Sequence, residues 1–147
     1  MWEIGNMVVA LGILVWFAIQ DVKKKSLATV QLLIVLGICL VMALISKNSI
    51  WSMLLGMLLG GVIYVIACCS KEQIGKGDAI VLVSTGMLLG GRGNLELFFI
   101  ALLLAALYAG WLLIIKHAGR KHSFAFVPFM AVAQLIRLLM HFTGGGV

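Results

Sequence analysis

The chain has 147 residues, of which 63% are hydrophobic and 11% charged, with a formal net charge of +6 and a single proline. Apolar runs recur along its whole length, which excludes a water-soluble globular domain and marks an integral membrane protein. The positive charge is read as topology plus attraction to anionic lipid, with no nucleic-acid partner expected.

A helix needs about 20 mainly apolar residues to cross a bilayer core. The first stretch, Ile4 to Gln20, ends at Asp21 and is followed by Lys23, Lys24 and Lys25. It has no basic region before its apolar run, so it is read as a retained span rather than a cleavable signal. Leu27 to Ser46 and Ile50 to Cys69 supply the second and third spans. The next stretch, Ala79 to Leu89, is short. It reaches a workable length only by borrowing Gly75 to Asp78 at one end and Gly90-Gly91 at the other, which draws Asp78 toward membrane depth. Leu97 to Ile115 and Phe124 to Phe142 follow. The expected fold is an all-α polytopic bundle of about six transmembrane helices in one integral-membrane domain, residues 1–147. Gly56 and Gly60, and likewise Gly86 and Gly90, fall four apart on one helix face, where small residues let backbones approach.

Loop charges set the orientation, because Lys and Arg accumulate on the cytoplasmic side. With the N-terminus outside, the inner loops hold Lys23, Lys24, Lys25, Lys71, Lys76, Lys116, Arg120 and Lys121, and the outer loops hold Lys47 and Arg92. Six crossings then leave both termini outside and bring the chain to the cytoplasmic side at Asp21 and again at Asp78. Arg137 falls near the outer end of the last span, where it snorkels to the surface.

The remaining polar residues carry less. Cys39 lies in a span, Cys68 and Cys69 end the third one, and without a CxxC pair neither a zinc site nor a disulfide framework is supported. His117, His122 and His141 fall at loops or interfaces, Glu3 and Glu96 on the outer side as solvated groups, and Gln31 and Gln134 inside spans as interhelical hydrogen-bond donors. The Gly75-Lys76-Gly77 segment lacks the full phosphate-cradling loop pattern and is followed by Asp.

Asp21 and Asp78 stand out because carboxylates are costly near hydrocarbon, and an ionisable residue at a span boundary is a functional hypothesis by default. Each has a plain structural reading: Asp21 paired with a nearby lysine, Asp78 capping the helix it opens. Two acids on one face of a bundle instead suggest a dyad, and the glycines at 75 and 77 relax the backbone so that a peptide can approach the carboxylate closely.

These residues resemble the type IV prepilin leader peptidases and their preflagellin relatives, membrane aspartic proteases with a GxGD motif. Three segments carry the resemblance: Ala18-Ile19-Gln20-Asp21-Val22-Lys23, Gly75-Lys76-Gly77-Asp78 leading to Leu88-Leu89-Gly90, and Phe124-Ala125-Phe126-Val127-Pro128-Phe129-Met130-Ala131. The chain departs from the family where Ser26-Leu27-Ala28 stands in place of Ile-Pro-Asn, and where Ala79-Ile80 stands in place of Val-Lys. It also has no N-terminal region of cytoplasmic cysteines, so a peptidase-only form like those serving Tad/Flp-type pili is implied and methyltransferase activity is not.

The resemblance implies catalytic Asp21 and Asp78, with Gly75, Lys76, Gly77, Pro128 and Phe129 at the substrate. It implies cleavage of the cytoplasmic leader of a pilin-like precursor in the plasma membrane of a prokaryote, by two carboxylates sharing a proton and with neither metal nor organic cofactor. Two other readings stand beside it. A small proton-coupled transporter or channel would also use intramembrane acids, although the central stretches of these spans hold none. A noncatalytic assembly factor would use the small-residue faces alone.

Overall fold

The computed structural model describes residues 2–24, 29–46, 49–69, 75–116 and 126–144. Lys25, Ser26, Leu27, Ala28, Lys47, Lys71, His117, Arg120, Lys121, His122, Phe124 and Ala125 lie outside the described residues.

The described chain is all helical: α1 (Trp2–Lys24), α2 (Thr29–Ile45), α3 (Ile50–Cys69), α4 (Lys76–Lys116) and α5 (Val127–Thr143). Among the described residues three helical stretches are long and apolar enough to cross a membrane, Glu3–Lys23, Ile50–Cys69 and Lys76–Ile115, and two shorter apolar helices join them. The exterior fits lipid. Trp51 and Ile114 are each 78% exposed, and Leu44, Ile50, Trp111 and Val30 also turn outward. The interior holds Leu14, Phe17, Val81, Leu82, Leu97, Val127 and Met130 in one cluster.

As a straight rod α4 would run ~60 Å, about twice a hydrocarbon core. It is broken at Gly90, whose φ of 71° and ψ of −179° belong to a region open essentially to glycine alone. The chain reverses there. Asn94 donates to the Leu82 carbonyl at 3.1 Å and accepts from the Thr85 hydroxyl at 2.9 Å, whereas Leu82 and Asn94 on one straight helix would be ~18 Å apart. The two arms, residues 76–89 and 91–116, therefore fold against each other as a helical hairpin.

The first arm borrows residues at its start, as its short apolar stretch required, but stops before Gly90 instead of absorbing it. The second arm begins well before the expected Leu97. Arg92, Gly93 and Asn94 fall between the expected spans, with Arg92 in an outer loop, yet they are helical because Asn94 is fully buried and satisfied by Thr85, Leu82 and the Gly56 carbonyl. Asn94→Leu is expected to destabilise the bundle by about 1–3 kcal/mol, the usual cost of orphaning buried polar partners, measurable by denaturant titration in micelles.

α3 lies antiparallel along the first arm through the small residues noted in the sequence. The Gly56 and Gly86 backbones touch, and a side chain on Gly60 would run into Val83. Without a hydrophobic drive between helices in lipid, such backbone approach is a main source of association.

Candidate active site

α1 packs antiparallel to the first arm of α4. Near the start of α1, Asn6 donates to the Leu88 carbonyl at 3.2 Å. Ala10 shares a cluster with Met87 and Leu88, and further along Leu14 and Phe17 share one with Val81 and Leu82. Continued for one more turn, this register brings the end of α1 to the start of α4.

Asp21 sits in the last turn of α1 and Asp78 in the first turn of α4. Asp78 lies near enough to Asp21 to feel its charge. Asp21 is 9% exposed, and its Oδ2 is buried with no hydrogen-bond partner among the described residues. Among the described residues no lysine pairs with it: Lys23 is exposed, and the ion pair seen there is Arg137 with Glu96. A buried carboxylate oxygen without a protein partner is costly and points to a ligand or a reaction.

Asp78 is the third helical residue of α4 rather than its cap. Its backbone N–H donates to the Gly75 carbonyl at 3.1 Å, and its side chain folds back so that a Cβ on Gly75 would stand 2.9 Å from Oδ2. Gly75 therefore leaves the carboxylate uncovered where any larger residue would crowd it. Gly77 is half-buried and Lys76 exposed beside it. Arranged so, two acids at one end of a bundle can hold a proton between them and accept a peptide along the open glycine edge.

Pro128 and Phe129 open α5 instead. Phe129 lies against Tyr108 with ring centroids 5.4 Å apart, and Phe126 packs edge-on to Phe98 at 6.3 Å. α5 meets α1 through Gln134, which donates to the Met7 carbonyl at 3.1 Å. Counting from that contact, Phe129 falls ~14 Å short of Asp21 along the bundle axis. The two positions are thus below the acids rather than beside them.

Arg137 does not snorkel. Its side chain is 8% exposed, bonded to Glu96 Oε2 at 3.0 Å and to Gln134 Oε1 at 3.1 Å. Glu96, expected to be merely solvated, keeps its outward exposure but is tied inward by this pair. Asn6, Thr85 and Asn94 escaped notice in the sequence. The signal was there for Asn6 and Thr85, each a polar residue inside an apolar span, but not for Asn94, which lies between the expected spans.

An outwardly apolar helical bundle with two acids meeting at one end is a membrane protein with an acidic site. A family model for the type IV leader peptidase family matches residues 8–110, a stretch that includes both Asp21 and Asp78, and the chain belongs to that family. It is a type IV leader peptidase-like protease, and its family acts in general on pilin precursors. No match was found among curated proteins or among solved structures.

Proposed function

We propose that this protein is an aspartic endopeptidase that removes the cytoplasmic leader of type IV prepilin-like precursors, of the kind assembled into Tad/Flp-type pili. The observation that carries the reading is the buried Asp21 Oδ2, without a hydrogen-bond partner among the described residues, in electrostatic contact with Asp78. Two carboxylates this close share one proton because both cannot readily ionise.

The ionised member removes a proton from water, whose oxygen attacks the scissile carbonyl carbon while the protonated member donates to the carbonyl oxygen. The member that took the water's proton then passes it to the leaving nitrogen, the C–N bond breaks as the other member takes back the proton it gave to the carbonyl oxygen, and the dyad again holds a single proton. Gly75 and Gly77 give the substrate backbone room beside Asp78, and exposed Lys76 borders the entrance. Pro128 and Phe129, deeper in the bundle, meet the apolar segment that follows the cut.

The helices are read as six spans, with the two arms of α4 crossing separately, both termini outside and the acids at the cytoplasmic face of a prokaryotic plasma membrane. The first arm, at ~21 Å, is shorter than a hydrocarbon core and leaves a polar notch above Asp78. Membership of a protease family removes the ground for the transporter reading.

Co-expression with a candidate prepilin from the same genome tests the proposal. A shift to the mature size, with the cut just ahead of the apolar segment, is expected; a precursor unchanged by well-inserted protein would refute it. Exposed Cys68 and Cys69 lie at the end of α3 that meets the start of α4. They are expected to react with a membrane-impermeant thiol reagent from the cytoplasmic side, and labelling from the outside alone would contradict the orientation. Chelators are expected to leave the cleavage rate of purified protein unchanged, since the two carboxylates supply the acid and the base.

A further inference from the structure

The polar contacts at the end of the bundle far from the acids link the same two helices that carry the acids. Asn6, 4% exposed, ties α1 to the Leu88 carbonyl at the end of the first arm of α4. Gln134, fully buried, ties α1 to α5 through the Met7 carbonyl, and its own oxygen is held by Arg137. Arg137 in turn reaches Glu96 on the second arm. Gly93 lets the guanidinium pass, since a Cβ there would stand 3.3 Å from Nη2. Four helical rods are therefore joined in one chain of hydrogen bonds.

Resting on the dyad reading above, we propose that Asn6 and Gln134 are positioning residues that set the axial register of α1, and through it the approach of Asp21 to Asp78. Apolar surfaces packed in lipid resist sliding only weakly, because the lipid offers contacts as apolar as the neighbouring helix does. A side-chain amide bonded to one particular carbonyl resists it directly. Leu88 is a register-specific acceptor, lying in the last turn before the Gly90 reversal, where the regular succession of helical acceptors is interrupted. A slip of one turn moves α1 by ~5.4 Å, whereas a misplacement of ~1 Å at a reacting group can cost about 10²-fold in rate.

Gln134→Glu is the discriminating variant. It keeps the shape and the acceptor for Arg137 but loses the N–H that donates to Met7, while Asn6→Leu removes the other tie. Each is expected to lower kcat about tenfold with KM unchanged, and Asn6→Gln, which keeps an amide donor, is expected to recover part of the loss.

Register is read separately from activity by joining Asp21→Cys and Asp78→Cys with a short bifunctional thiol reagent, in a background carrying Cys39→Ala, Cys68→Ser and Cys69→Ser. Cross-linking several-fold slower when Asn6→Leu or Gln134→Glu is added supports the proposal. An unchanged cross-linking rate overturns it, whatever happens to kcat, and leaves the dyad standing. Failure of the parent cysteine pair to cross-link at all overturns both.

Discussion

Asp21→Asn and Asp78→Asn are each expected to lower the rate of leader cleavage by about 10³-fold or more, with the protein still inserted and folded. Asn keeps the size of the side chain but neither accepts the proton from water nor holds the one donated to the carbonyl. Binding should change far less, because the leader meets the glycine edge at residues 75–77 and the bundle below it. The comparison is best made by single-turnover cleavage of one purified precursor in micelles. Rates within tenfold of wild type for either variant would mean that the acid concerned is not a proton carrier. Asp21→Asn carries a second expectation. Its Oδ2 is buried with no hydrogen-bond partner among the described residues, so replacing the carboxylate with a neutral amide should leave folding stability unchanged or raise it.

Gly86→Val is expected to be the most destabilising single change away from the acids, by about 3 kcal/mol. A Cβ at this position would run into the Gly56 carbonyl and stand 2.9 Å from Asn94 Nδ2. The neighbours are backbone, which cannot rotate away, so α3 and the first arm of α4 must separate. Overpacking costs about 1–3 kcal/mol, and losing the Asn94 contact with Gly56 adds about 1 kcal/mol more. Unfolding in mixed micelles should show the loss, with Gly37→Ala as the counter-case. Nothing lies within 4 Å of a Cβ at Gly37, and alanine favours the helix, so that variant should be as stable as wild type or slightly more so. Equal losses from the two changes would mean that helix contact at Gly86 is not a source of stability.

The contrast between these two glycines shows how far the sequence could be read. Gly56 and Gly86 declared themselves by spacing, and α3 begins and ends at Ile50 and Cys69 as hydropathy implies. Asp21 and Asp78 were legible because ionisable side chains are rare among so many apolar ones. Hydropathy failed where polar groups are satisfied inside the protein. It left Arg92 to Asn94 between spans because it cannot see that Thr85, Leu82 and Gly56 await Asn94. Arg137 and Glu96 were taken for surface groups for the same reason: 41 residues separate them in the chain, and only the packing of α5 against the second arm of α4 brings them together. Phe129 was placed at the substrate by the family resemblance, whereas its contact with Tyr108 depends on how α5 crosses the second arm.

The central claim is that Asp21 and Asp78 act as one unit, and a double-mutant cycle tests it most directly. Single-turnover rates would be measured for wild type, Asp21→Asn, Asp78→Asn and the protein carrying both changes. Residues that share one proton in one step are grossly non-additive, so the doubly substituted protein should be no more than about threefold slower than the slower single variant. Losses that multiply, with each aspartate contributing independently of the other, would contradict the dyad.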